Sequence, residues 1–144
     1  MRTKILLPIV LVIVIIACSK NEYNTKPTLK ITSTSTNVVP KQGNLSFDIQ
    51  VTDKEGDIAD SIFIKKVRTN SRRTTTIRDS FGIRMPDVPD TRDAVIRIDL
   101  SYQNYLISAQ NPNENDTLIF KFALKDKAKN TSDTVSSERI VIIR

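Results

Sequence analysis

The chain has 144 residues, with 22 Lys and Arg, 16 Asp and Glu, one Cys and no His or Trp. This length corresponds to one domain of ordinary size. The absence of His excludes Ser–His and Cys–His catalytic pairs and histidine metal sites, and a single Cys excludes an internal disulfide. The net charge of +6 is modest, and no aromatic residues are interleaved with the basic ones, so we predict no nucleic-acid binding.

The N-terminus has the layout of a secretory signal. Two cations, Arg2 and Lys4, precede an apolar run over residues 5–17, which is shorter than the roughly twenty residues of a membrane-spanning helix. The run ends in Ile15-Ile16-Ala17-Cys18, which resembles the lipobox of bacterial lipoproteins. The resemblance implies cleavage before Cys18 and lipidation of that cysteine. A cleaved signal that ends at a free cysteine and an uncleaved anchor are the alternatives.

The lipobox resemblance divides the chain into a signal peptide (1–17), a lipidated cysteine with a flexible tether (18–27) and a folded domain (28–144). Several acyl chains on Cys18 would hold the protein on a membrane stably, where one chain would be marginal. Ser19 stands where the family pattern for inner-membrane retention has Asp, which implies the outer membrane. The segment Ser19-Lys20-Asn21-Glu22 is similar to export signals of Bacteroidetes surface lipoproteins, so we expect exposure at the cell surface.

Hydrophobicity after residue 27 alternates with a period of two, which is typical of strands that bury one face. Leu45, Phe47, Ile49 and Val51 form the clearest series. We therefore predict an all-β fold, an immunoglobulin-like antiparallel β-sandwich of about seven strands. A helical turn is predicted within residues 101–110. The predicted strands cover residues 28–39, 44–53, 60–69, 73–79, 93–101, 116–125 and 137–143.

Two polar loops predict a metal site. The segment 53–60 follows the second predicted strand and carries four acids around Gly56, which suits a hard cation with oxygen ligands. It resembles the acidic loop of immunoglobulin-like lipoprotein domains of the Bacteroidetes group. The loop after the sixth strand lies at the same end of such a sandwich. Ordinary turn chemistry explains both loops as well. The candidate calcium ligands are Asp53, Glu55, Asp57, Asp126 and Asn130.

Positive charge is concentrated between residues 65 and 78, a segment without acids that we predict to form a hairpin with its turn at Asn70-Ser71. Such a hairpin would attract anionic partners, and Arg guanidinium groups beside Thr hydroxyls can bind phosphate or carboxylate. The alternative is protection of an edge strand by Lys and Arg. The candidate anion-binding residues are Lys65, Lys66, Arg68, Arg72 and Arg73.

Three Asp-Ser/Thr-apolar triplets resemble the O-glycosylation acceptor of exported Bacteroidetes proteins, and they make Ser61, Thr117 and Thr134 candidate acceptors. Each triplet fits the start of a strand equally well.

These observations lead us to expect a non-enzymatic binding or accessory lipoprotein, with an envelope protein or an anionic glycan as its partner. One alternative is a purely structural module with a calcium-rigidified loop. Another is a small hydrolase that uses a carboxylate pair, the one conventional machinery that the absence of His leaves open.

Overall fold

A computed structural model describes residues 25–58, 60–70, 79–86, 89–107 and 114–144. The signal peptide, Cys18 and most of the tether lie outside the described residues, as does nearly all of the strand predicted over 73–79. Among the described residues, no helix is both long enough and apolar enough to cross a membrane.

The described residues form eight strands in two sheets, which confirms the predicted all-β sandwich. One sheet has the order β1-β3-β6 and the other has the order β2-β8-β7-β4-β5. All strand pairs are antiparallel except β2 with β8. The strands are β1 (Thr28–Thr34), β2 (Val38–Val39), β3 (Asn44–Thr52), β4 (Ser61–Arg68), β5 (Ser80–Arg84), β6 (Asp93–Ser101), β7 (Asp116–Lys125) and β8 (Val135–Ile142).

The first predicted strand, 28–39, is in fact two strands in different sheets. The β1–β3 register shifts between Ile31 and Ser33, and the chain then turns at residues 35–37. The Thr36 hydroxyl stabilises this turn, because it accepts from the Val38 N–H at 3.1 Å and lies 2.9 Å from the Val38 carbonyl oxygen. The chain thereby crosses to the second sheet, where β2 pairs in parallel with β8.

The core lies between the sheets and is built by the alternating positions of the long strands. The inward residues of β3 and β7 are fully buried, and Phe47 packs against Phe120 and Phe122 with ring centroids 5.3 and 5.0 Å apart. Such tilted and edge-on contacts are favoured by aromatic rings. This core fixes which side chains of each strand point outward.

A single π-helical turn, Tyr102–Leu106, follows β6 and confirms that the chain is helical within the predicted segment 101–110. Its Tyr102 hydroxyl donates to the carbonyl oxygen of Ile143 at 2.9 Å, which ties the turn to the end of β8. Leu106 is fully buried in the core. The turn therefore closes one end of the sandwich.

Candidate functional site

The first acidic loop begins where β3 leaves its sheet. The Asp53 carboxylate accepts hydrogen bonds from the backbone N–H groups of Glu55 at 3.2 Å and Asp57 at 3.3 Å. Gly56 has a φ of 85°, a left-handed conformation that favours glycine, and its carbonyl accepts from the Thr91 N–H at 2.8 Å. These bonds curl the loop around the Asp53 carboxylate.

The second loop, after β7, curls in the same way around Asp126. Its carboxylate accepts from the backbone N–H of Asn130 at 2.7 Å and from the Asn130 side-chain amide at 3.0 Å. The loop then reaches across to Asp57, whose carboxylate accepts from the Ala128 N–H and whose carbonyl accepts from the Lys127 N–H. Loops distant in sequence are thus joined by backbone donors.

The structure brings Asp53, Asp57 and Asp126 together, with one carboxylate oxygen from each lying within 4.8 Å of the others. Asp53 is 1% exposed and Asp126 is fully buried. Five of the six carboxylate oxygens accept an N–H. The sixth, Oδ1 of Asp57, is buried without a hydrogen-bond partner in the part of the chain that the structure describes. We call these three residues the acidic triad.

Burial raises the pKa of the Asp53 carboxyl above its ordinary value, and the neighbouring carboxyl group of Asp57 raises it further. Neighbouring carboxylates in a poorly hydrated site repel each other unless a proton or a cation lies between them. Carboxylate oxygens are ligands that Ca²⁺ prefers, so the chemistry of the acidic triad fits a divalent cation.

The structure places the other two predicted metal ligands beside the acidic triad. Glu55 is exposed and reaches the acidic triad through its backbone N–H. The amide nitrogen of Asn130 donates to Asp126, so this residue holds a member of the acidic triad in place.

The predicted anion-binding residues do not share one surface. Lys65 is exposed, whereas Lys66 is 3% exposed and its ammonium donates to the carbonyl oxygen of Tyr105. The Arg68 side chain is 6% exposed and is ion-paired with Asp116. Burial therefore removes Lys66 and Arg68 from the predicted anion-binding set. Arg72 and Arg73 lie outside the described residues.

The candidate glycosylation acceptors lie at strand starts. Ser61 is the first residue of β4, Thr117 the second of β7, and Thr134 immediately precedes β8. Ser61 and Thr117 are half-buried and Thr134 is exposed. Thr134 is thus the most accessible of the three hydroxyls.

Sequence reasoning missed a group of residues on the outer face of the five-stranded sheet. Phe63 on β4 is 46% exposed, and Lys121 on β7 lies directly opposite Lys65. The signal was available in the alternation of β4, because buried Ile62 and Ile64 place Phe63 on the outside.

No protein-family model matches the chain, and no curated protein matches it. The solved structures to which the chain has low similarity include two β-glucosidases. A β-glucosidase from Kluyveromyces marxianus in complex with glucose has a TM-score of 0.44 at 8% identity, over 82% of this chain. A β-glucosidase from Listeria innocua in complex with gluconolactone has a TM-score of 0.44 at 11% identity, over 84% of this chain. The similarity spans 15% and 16% of those enzyme chains, respectively.

Proposed function

We propose that this chain is a lipid-anchored, non-enzymatic binding module of the outer membrane, exposed at the cell surface. The observation that carries the proposal is Ile15-Ile16-Ala17-Cys18, placed after a basic segment and an apolar segment. Nine residues (19–27) lie between Cys18 and Thr28, the first residue of β1, so a short tether would join the lipid to the sandwich. The absence of His from the whole chain supports a role in binding rather than catalysis.

Replacement of the lipidated cysteine tests the anchor. We expect the native chain to incorporate palmitate and to sediment with outer membranes, and Cys18→Ser to do neither because the thiol that receives the lipid is gone. Ser19→Ala is the matched control and should still be lipidated. A Cys18→Ser chain that remains in the outer-membrane fraction would contradict the proposal. Protease treatment of intact cells tests surface exposure, since a chain that resists digestion until the cells are lysed would not face outward.

A second function is supported by the acidic triad. We propose that it binds Ca²⁺, which would join the loops after β3 and β7 and stiffen this end of the sandwich. The supporting observation is the buried Oδ1 of Asp57, which has no partner among the described residues, on a residue that belongs to the acidic triad. A bound cation would stabilise a buried carboxylate oxygen that has no hydrogen-bond donor. Calorimetric titration of the metal-free chain with Ca²⁺ tests this proposal, and an absence of heat at millimolar Ca²⁺ would overturn it.

A further inference from the structure

The outer face of the five-stranded sheet has an exposed aromatic ring on β4, the strand next to the edge strand β5. Phe63 on β4 lies between Gly82 of β5 and Ala123 of β7, its register partners on either side. A Cβ built on Gly82 would meet ring atoms of Phe63 at 3.4 Å, so the ring leans over the glycine. Because both neighbours are small, the ring borders a shallow depression of about 600 Å³. This volume is in the range of small-ligand sites.

Cations lie on both sides of Phe63 along the strands. Lys65 and Lys121 are direct cross-strand partners on one side of Phe63, and both line the depression. On the other side, Arg84 and Lys125 are the register partners of Ser61. The outward positions of β4, β5 and β7 include no carboxylate. We call Phe63 and these four cations the basic sheet face.

The pairing of Lys65 with Lys121 is unfavourable by itself, because like charges directly opposite each other destabilise a sheet. Neither ammonium forms an ion pair within the described part of the chain. An anionic group between the two side chains would remove the repulsion and would gain charge-assisted hydrogen bonds from both. The juxtaposition therefore favours a ligand with negative charge at this point.

The aromatic ring adds a second requirement. Phe63 offers a flat apolar surface, on which the C–H face of a sugar ring can pack. Positions two residues apart on a strand are separated by about 7 Å. The cations on either side of Phe63 therefore lie about the length of one sugar unit from the ring. Single-stranded nucleic acid usually stacks on successive aromatic residues, and the described strands β4, β5 and β7 place one aromatic side chain on this face.

We propose that the basic sheet face binds a carboxylate-bearing polysaccharide, with one sugar ring packed on Phe63 and an acid group between Lys65 and Lys121. The inference rests on the proposed function of the chain as a binding module and names the ligand class of that module. It is independent of the acidic triad, which belongs to the loops after β3 and β7.

The test uses the full chain and trigalacturonate as the probe, with binding measured calorimetrically at low ionic strength. We expect Lys65→Gln and Lys121→Gln each to lower the affinity about fivefold, the size of one exposed charge contact. We expect Phe63→Leu to lower it about tenfold, because the side chain stays apolar but loses its flat ring. Affinity should also fall as salt is added, since salt screens exposed charges.

Two substitutions on the other sheet are the matched controls. Lys30→Gln removes an exposed lysine from β1, and Val95→Ala truncates an apolar side chain on β6 that is 66% exposed. Both should bind trigalacturonate like the native chain. Equal losses in Lys30→Gln and Lys65→Gln would overturn the proposal, because they would indicate a general charge effect. If Phe63→Leu does not fold, the two lysine variants still decide the question.

Two further probes distinguish the ligand class. Maltotriose, a neutral sugar, should bind at least tenfold more weakly than trigalacturonate. A tri-glutamate peptide that bound as tightly as trigalacturonate would overturn the sugar assignment, because charge alone would then suffice. Absence of trigalacturonate binding overturns this inference and leaves the anchor at Cys18 standing. Cleavage of the probe during the titration would instead contradict the non-enzymatic function.

Discussion

The backbone N–H of Ala128 donates to Oδ2 of Asp57 at 2.8 Å, although the two residues are 71 positions apart in the sequence. This bond and the one from Lys127 N–H to the Asp57 carbonyl hold the loop after β7 against the loop after β3. The two carboxylate oxygens of Asp57 therefore differ, since one joins the loops and the other has no partner among the described residues. An amide at this position distinguishes the two oxygens, because its oxygen can keep the bond to Ala128.

We predict opposite effects of Asp57→Asn on stability without and with calcium. In metal-free buffer the new amide nitrogen donates to the neighbouring carboxylates of the acidic triad, and the loss of one negative charge relieves repulsion. The free energy of unfolding should then rise by about 1 kcal/mol. At Ca²⁺ concentrations tenfold above the dissociation constant, the native chain should gain about 5 °C in Tm and the variant nothing. Thermal unfolding in EDTA and in CaCl₂ measures both effects.

Glu55→Gln is the control for this prediction, because Glu55 lies in the same loop but is exposed and contributes a backbone N–H. It should keep the calcium-dependent rise in Tm. If Glu55→Gln loses the rise while Asp57→Asn keeps it, the metal ligands are not the acidic triad.

The acidic triad shows which features of the site could be predicted from the sequence. Sandwich topology alone predicts that the loops after β3 and β7 share one end, and Asp53, Asp57 and Asp126 do lie together there. The pattern could not separate the clustered carboxylates from the residues that support them. Asn130 and Asp126 have similar polar side chains, and their roles differ because the amide of one donates to the carboxylate of the other.

For the fold as well, the sequence predicted some features and missed others. Alternation predicted the bounds of β6 and β7 as the structure has them, because both strands bury one face continuously. It missed the change of sheet before β2, since a period of two is the same in either sheet. It also failed at Lys66, an inward cation whose partner is the Tyr105 carbonyl on a turn 39 residues later. Contacts between distant backbone groups leave no periodic trace in the sequence.

The ion pair between Asp48 and Arg97 should contribute to the acid sensitivity of the domain. Arg97 donates to both carboxylate oxygens of Asp48, at 2.8 and 2.9 Å, across the β3–β6 pair. The hydrogen bonds from Arg97 lower the pKa of Asp48 below its ordinary value of 3.8 in the folded chain. The pair therefore stabilises the fold above about pH 4, and this contribution is lost as the pH falls further.

Urea unfolding of the native chain and Asp48→Asn between pH 2 and pH 6 measures this effect. We expect the native chain to be the more stable of the two at pH 6 and the difference to shrink toward zero at pH 2. The control is the same comparison in a chain that carries Arg97→Gln. Without the Arg97 guanidinium, adding Asp48→Asn should change the free energy of unfolding little at any pH. A difference that stays constant across this range would show that Asp48 acts without titrating.

The hydrogen bond of the Tyr102 hydroxyl should stabilise the π-helical turn, and a substitution can measure its contribution. Tyr102→Phe removes the donor to the Ile143 carbonyl and should lower the free energy of unfolding by about 1 kcal/mol, the net value of a typical hydrogen bond. Ser101→Ala is the control, because the neighbouring Ser101 hydroxyl is buried without a partner among the described residues. Its removal should leave stability unchanged or raise it slightly. Equal losses in both variants would indicate that the turn is sensitive to any substitution.

The aromatic cluster of Phe47, Phe120 and Phe122 should dominate the stability of the sandwich. Phe47 is fully buried and contacts both other rings from the opposite sheet, so Phe47→Ala leaves a cavity and should lower the free energy of unfolding by about 3–5 kcal/mol. Domains of this size have about 5–15 kcal/mol in total, so the midpoint of urea unfolding should fall sharply while its slope stays unchanged. Val95→Ala, a truncation of an exposed side chain on β6, should change the midpoint little. A Phe47→Ala loss as small as that of Val95→Ala would mean that the two sheets do not depend on this cluster for their packing.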